Sequence, residues 1–105
     1  MVDRKIIIWG ELAERQYKKS LEYHFQTNGN IDFCKKLNTE INNTLNLICQ
    51  FNELGIAIPK TNFRSVSVFW YSIVYELNND FISVLLFWNT RRNPKTLKIL
   101  LEELS

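Results

Sequence analysis

Apolar and polar positions along the chain change from a four-residue to a two-residue period at Phe63, and that change separates a pair of helices from a run of strands. Lys5 to Trp9 is a β-branched run ended by Gly10 and predicts a short first strand. From Glu11, the positions Ala13, Tyr17, Leu21 and Phe25 recur at four-residue steps, the stripe of an amphipathic helix. Thr27-Asn28-Gly29-Asn30 ends it with residues suited to a left-handed cap. Asp32 can cap a second helix in which Leu37, Ile41, Leu45 and Ile48 recur at steps of four, four and three, with Cys34 and Phe51 extending the same side. Two helices joined by a short turn predict an antiparallel hairpin. Asn52 to Thr61 carries Gly55 and Pro59 and reads as an extended connection.

Beyond Phe63 the period is two. Phe69, Tyr71, Ile73, Tyr75 and Leu77 fall on one face of a strand, and Trp70, Ser72, Val74 and Glu76 on the other. Asn78-Asn79-Asp80 suits a tight hairpin, so the next run should pair antiparallel. There Ile82, Val84, Leu86 and Trp88 alternate with Phe81, Ser83, Leu85 and Phe87, and both faces are apolar. Such a strand is central and covered twice, here by the helical hairpin on one face and a terminal helix on the other. Asn93-Pro94 starts that helix, and Leu97, Leu100, Leu101 and Leu104 give it one apolar side.

Composition narrows the class. A chain of 105 residues forms one domain, spanning 1–105. At that size it buries about 65% of its unfolded surface, enough for one core without staples. Thirteen Lys and Arg against eleven Asp and Glu leave a net charge of +2, so any nucleic-acid role must come from a local patch rather than bulk charge. The apolar residues before Gly10 are too few for a signal peptide, and no run approaches a membrane span, so a soluble cytoplasmic protein without membrane contact is expected. Cys34 and Cys49, fifteen residues apart in one helix, would lie about 22 Å apart and cannot bridge each other. They match no metal-ligand spacing and read as small buried apolar side chains. His24 lacks a partner at ligand spacing and reads as a partly exposed helix residue. No metal and no cofactor is expected.

The order Phe63-Arg64, Tyr71-Ser-Ile-Val-Tyr75, a short turn, an apolar strand, Trp88-Asn-Thr-Arg91-Arg92-Asn-Pro94 and a final short helix resembles the RelE/ParE family of bacterial toxins. The resemblance covers nearly the whole chain. It implies an α+β fold: an N-terminal strand, an antiparallel helical hairpin packed on a three- or four-stranded antiparallel sheet, and a short C-terminal helix. It also implies the toxic half of a type II toxin-antitoxin pair, associated with plasmid stabilisation and growth arrest. The partner would be a cognate antitoxin whose flexible segment folds onto the toxin as a hetero-oligomer.

Arginines are the candidate chemistry. Arg64 opens one strand while Arg91 and Arg92 close the last, and antiparallel pairing is expected to bring them toward one end of the sheet. A cluster of guanidinium forks suits phosphate binding and charge stabilisation in phosphodiester cleavage. The bland reading, an ion pair with Glu76, Glu102 or Glu103 or a soluble sheet edge, stands beside it for each arginine. Arg64, Arg91 and Arg92 are the catalytic candidates, and Lys60, Trp88 and Asn89 are candidates for target contact. Tyr71, Tyr75 and Phe87 are expected in the core, with Trp70 and Trp88 left to the surface. Exposed charges contribute little to folding, so alanine at Arg64 or Arg91 is expected to leave stability nearly unchanged. Ribosome-dependent messenger-RNA nucleases of the family often use a Tyr or His near the C-terminus for proton transfer. The segment Lys95-Thr-Leu-Lys-Ile-Leu-Leu-Glu-Glu-Leu-Ser105 has neither, which favours a gyrase-directed, ParE-like action over RelE-like cleavage. The rival from another class is an inert interaction module on the same scaffold.

Overall fold

The computed structural model describes residues 5–28, 31–91 and 94–104. In chain order the elements are β1 (Ile6–Trp9), α1 (Glu11–Asn28), α2 (Ile31–Gln50), β2 (Ile56–Ala57), β3 (Phe63–Val68), β4 (Tyr71–Leu77), β5 (Phe81–Asn89) and α3 (Pro94–Leu104). The α+β class, the helical hairpin and the terminal helix are as expected. The sheet differs in detail. It has five strands in the order β1-β5-β4-β3-β2. β1 runs parallel to β5, while the other pairs are antiparallel. A parallel neighbour needs a long crossover, and here everything from α1 to β4 supplies it.

Gly10 makes the turn from β1 into α1. Its N–H donates to the Val84 carbonyl at 2.8 Å, and its carbonyl accepts from Glu14 N as the first helical bond. A Cβ at Gly10 would lie 2.9 Å from the Val84 oxygen, so only glycine permits that approach. The buried stripe of α1 is Ala13, partly buried Tyr17 and Leu21, and then His24 rather than Phe25. At 3.6 residues per turn, Phe25 has drifted about 120° from Ala13 and His24 only about 20°. Phe25 is therefore exposed, and His24, expected near the surface, is buried. α2 buries Leu37, Ile41, Leu45 and Ile48 as its spacing predicts, with Cys49 beside them, whereas Cys34 is only half-buried and Phe51, past the helix end, is exposed.

The hairpin face of the sheet packs these residues against Tyr71, Ile73, Tyr75, Ile82, Val84 and Phe87. The opposite face packs Phe63, Val74 and Leu86 under Leu97, Leu100 and Leu101 of α3. Strict alternation placed Leu86 and Trp88 with Ile82 and Val84. A β-bulge overturns this: Val74 pairs with Leu86 but Tyr75 with Val84, leaving Leu85 unmatched. One extra residue inverts the parity of everything after it, so Phe87 joins the hairpin face and Leu86 the α3 face. Phe69 and Trp70 also leave the strand pattern, forming the tight connection from Val68 to Tyr71, with Phe69 at φ 54°.

Candidate functional site

β3 and β5 both run antiparallel to β4 and therefore run the same way, which separates the two ends of the sheet chemically. Arg64 pairs with Tyr75, which pairs with Val84. Asn89 pairs with Tyr71, which pairs with Val68, four residues further along β3. Arg91 lies beyond that second row. The rows are about 13 Å apart along the strands, before the width of the sheet is counted. The expected arginine cluster is thus not formed by Arg64 and Arg91, because opening one strand and closing another that runs the same way places residues at opposite ends. Arg92 lies outside the described residues. Lys60, at φ 65° in the turn before β3, belongs to the Arg64 end, while Trp88 and Asn89 belong to the Arg91 end.

At the first end, Arg64 has a structural task. Its Nη1 donates to the Gly55 carbonyl at 2.8 Å and, more weakly, to that of Glu53 at 3.4 Å. The neighbouring Tyr75 hydroxyl accepts from Gly55 N at 2.9 Å and donates to the Asn52 carbonyl at 3.0 Å. Burial pushes the Tyr75 phenol up from its ordinary value, opposed by the Gly55 hydrogen bond and the Arg64 charge. Gly55 is closed in: a Cβ there would lie 2.7 Å from the Tyr75 hydroxyl and 2.8 Å from the Ser65 carbonyl. Arg64 and Tyr75 together clasp the segment 52–55 to the sheet and satisfy backbone groups that would otherwise lie unpaired under it.

The second end is aromatic and cationic. Trp70 stacks on Phe33 with centroids 5.4 Å apart, and the exposed Arg91 guanidinium sits 4.4 Å over the Trp70 ring. Thr90 holds the Trp70 carbonyl with both its backbone N–H and its hydroxyl. Asn89 Oδ1 accepts from Arg91 N at 2.9 Å, so the chain leaving β5 is fixed. Behind Trp70, His24 Nε2 lies 2.7 Å from the Tyr71 hydroxyl, and Phe33 meets the imidazole edge-on at 4.7 Å. Burial pushes the His24 pKa down.

Between α1 and the end of β5 lies a cleft of about 490 Å³, and it is the best candidate site. Its wall on α1 carries Arg15, Gln16, Lys19 and Tyr23; its wall on β5 carries Trp88 and Asn89, with the core residues Tyr71 and Phe87 between them. The cleft exists because β1 pairs only with the first half of β5. Past Val84 the β5 edge is open, and Gln16 Oε1 of α1 accepts from Phe87 N at 2.9 Å in place of a neighbouring strand. Two sequence-predicted contact residues, Trp88 and Asn89, line the cleft; Trp88 is more buried than expected. The α1 residues were not legible as site residues, since Arg15, Gln16, Lys19 and Tyr23 have the spacing of any solvated helix face. Only the topology puts that face beside the β5 edge. Among the described residues, no group of His, Cys, Asp and Glu could hold a metal ion, and no helix is long and apolar enough to cross a membrane.

No protein-family model matches the chain, and no curated protein does. Among solved structures, the fold is similar to that of a chain described as "Chromosomal ParDE TA system from P. aeruginosa", with a TM-score of 0.68 and 13% sequence identity. The match covers 83% of this chain and 97% of that one. At such identity the likeness is one of fold: a strand, a helical hairpin, a mixed sheet and a terminal helix arranged as in a chain of that toxin-antitoxin system.

Proposed function

We propose that this chain is the toxin of a type II toxin-antitoxin pair of the RelE/ParE kind, held inactive by a cognate antitoxin. The observation that carries the reading is the fold likeness, which spans nearly all of the ParDE-system chain. Support comes from the order of Arg64, the β4–β5 hairpin and Trp88-Asn-Thr-Arg91, read independently from the sequence. Large apolar side chains left in solvent, among them Phe51, Leu54 and Ile56 around the clasped segment, suit a protein that spends time covered by a partner.

Within that reading the action is directed at gyrase rather than at ribosome-bound message. The C-terminal segment lacks Tyr and His, and Arg64 is engaged by backbone carbonyls at the end of the sheet remote from Arg91. Purified protein is expected to impair gyrase supercoiling and to leave message intact on translating ribosomes. Codon-positioned cuts would select the ribonuclease branch instead. Inactivity toward both targets, with growth unaffected, would select the inert interaction module.

A further inference from the structure

We infer that the cleft between α1 and the end of β5 is a small-molecule site for a phosphorylated heteroaromatic, the class of nucleoside monophosphates. Arg15 and Lys19 stand one helical turn apart on the α1 wall, and among the described residues no carboxylate lines the cleft. The Arg15 guanidinium offers a two-pronged donor for phosphate and Lys19 a point charge. The ion pair from Arg15 to Glu11, at 3.3 Å between well exposed side chains, is a weak competitor for a phosphate. The exposed Tyr23 ring on the α1 wall offers a face for a base to lie against, while Trp88, almost fully buried, only closes the β5 side. The Asn89 side-chain oxygen is held by Arg91 N, which leaves its amide nitrogen as a donor for an acceptor on the edge of a heteroaromatic ring. At about 490 Å³ the volume suits a ligand of this size. Nothing in this inference depends on the toxin reading, and it is tested without reference to growth.

The test is calorimetric titration of the purified full chain with AMP and GMP, alongside adenosine, guanosine and inorganic phosphate. At least one monophosphate is expected to bind with Kd below about 1 mM, roughly tenfold or more tighter than its nucleoside or phosphate alone. Lys19→Ala and Arg15→Ala should each weaken that binding by roughly fivefold or more. Lys18→Ala, on the same helix but outside the cleft and paired with Glu14, should leave it unchanged. Thermal melting of each variant confirms that it is folded. Absence of monophosphate binding, phosphate binding as tightly as the nucleotide, or binding indifferent to both Lys19→Ala and Arg15→Ala would each overturn the assignment.

Discussion

Arg64→Ala should destabilise the fold, contrary to the expectation for an exposed charge at a strand end. The substitution removes a 2.8 Å charge-assisted hydrogen bond to the Gly55 carbonyl and a weaker one to Glu53. Such a bond is worth about 1.5–3 kcal/mol when buried; Arg64 is half-buried, so about 1–2 kcal/mol is expected. In a domain of this size that lowers Tm by roughly 5–10 °C. Tyr75→Phe attacks the same segment from beneath, depriving Gly55 N and the Asn52 carbonyl of their partner at a cost of about 2–4 kcal/mol. Because either change frees the same stretch, the double variant should lose less than the sum, with a coupling of at least about 0.5 kcal/mol. Arg91→Ala is the comparison. It removes only a surface cation–π contact over Trp70 and should cost about 1 kcal/mol or less. Urea denaturation followed by tryptophan fluorescence measures all four variants. An Arg64→Ala cost under about 0.5 kcal/mol, or strict additivity with Tyr75→Phe, would refute the clasp.

Ile41→Ala and Leu45→Ala, both at buried positions of α2, should each cost about 2–5 kcal/mol in chemical denaturation, and values under about 0.5 would put that stripe on the surface. Gly55→Ala drives a methyl toward the Tyr75 hydroxyl and should cost about 1–3 kcal/mol, read as a lowered urea midpoint. Burial holds His24 below its ordinary pKa of 6.5, so the unfolded chain binds its proton first as pH falls. The stability linked to His24 is therefore complete above that value and declines as pH drops below it toward the folded pKa. Stability measured from pH 7.5 down to pH 5.5 should fall in the native chain and flatten in His24→Gln; an unchanged slope would refute the linkage.

The helices and the hairpin were legible because each rests on local periodicity or turn chemistry: Leu37, Ile41, Leu45 and Ile48 share a face whatever the tertiary setting, and Asn78-Asn79-Asp80 turns the chain where it stands. Failures came where a small offset accumulates or a distant pairing decides. Four-residue steps select Phe25, but the helical pitch selects His24. Alternation carries Leu86 with Ile82 until the bulge at Leu85, which exists only in the pairing with β4, reverses it. Arg64 and Arg91 both flank strand ends, yet the sense of β3 relative to β5 keeps them apart, and that sense depends on an intervening strand rather than on either residue. The cleft is a further step removed. It requires β1 to stop halfway along β5, and a helix face with no sequence signature to fill the gap.

Induction of this chain in a bacterial host, alone and together with its neighbouring short reading frame, tests the central claim most directly. Growth should stop when the chain is expressed alone and resume when the partner is supplied, with the two proteins co-purifying as a complex. Undiminished growth at high levels of folded protein would contradict the assignment as a toxin.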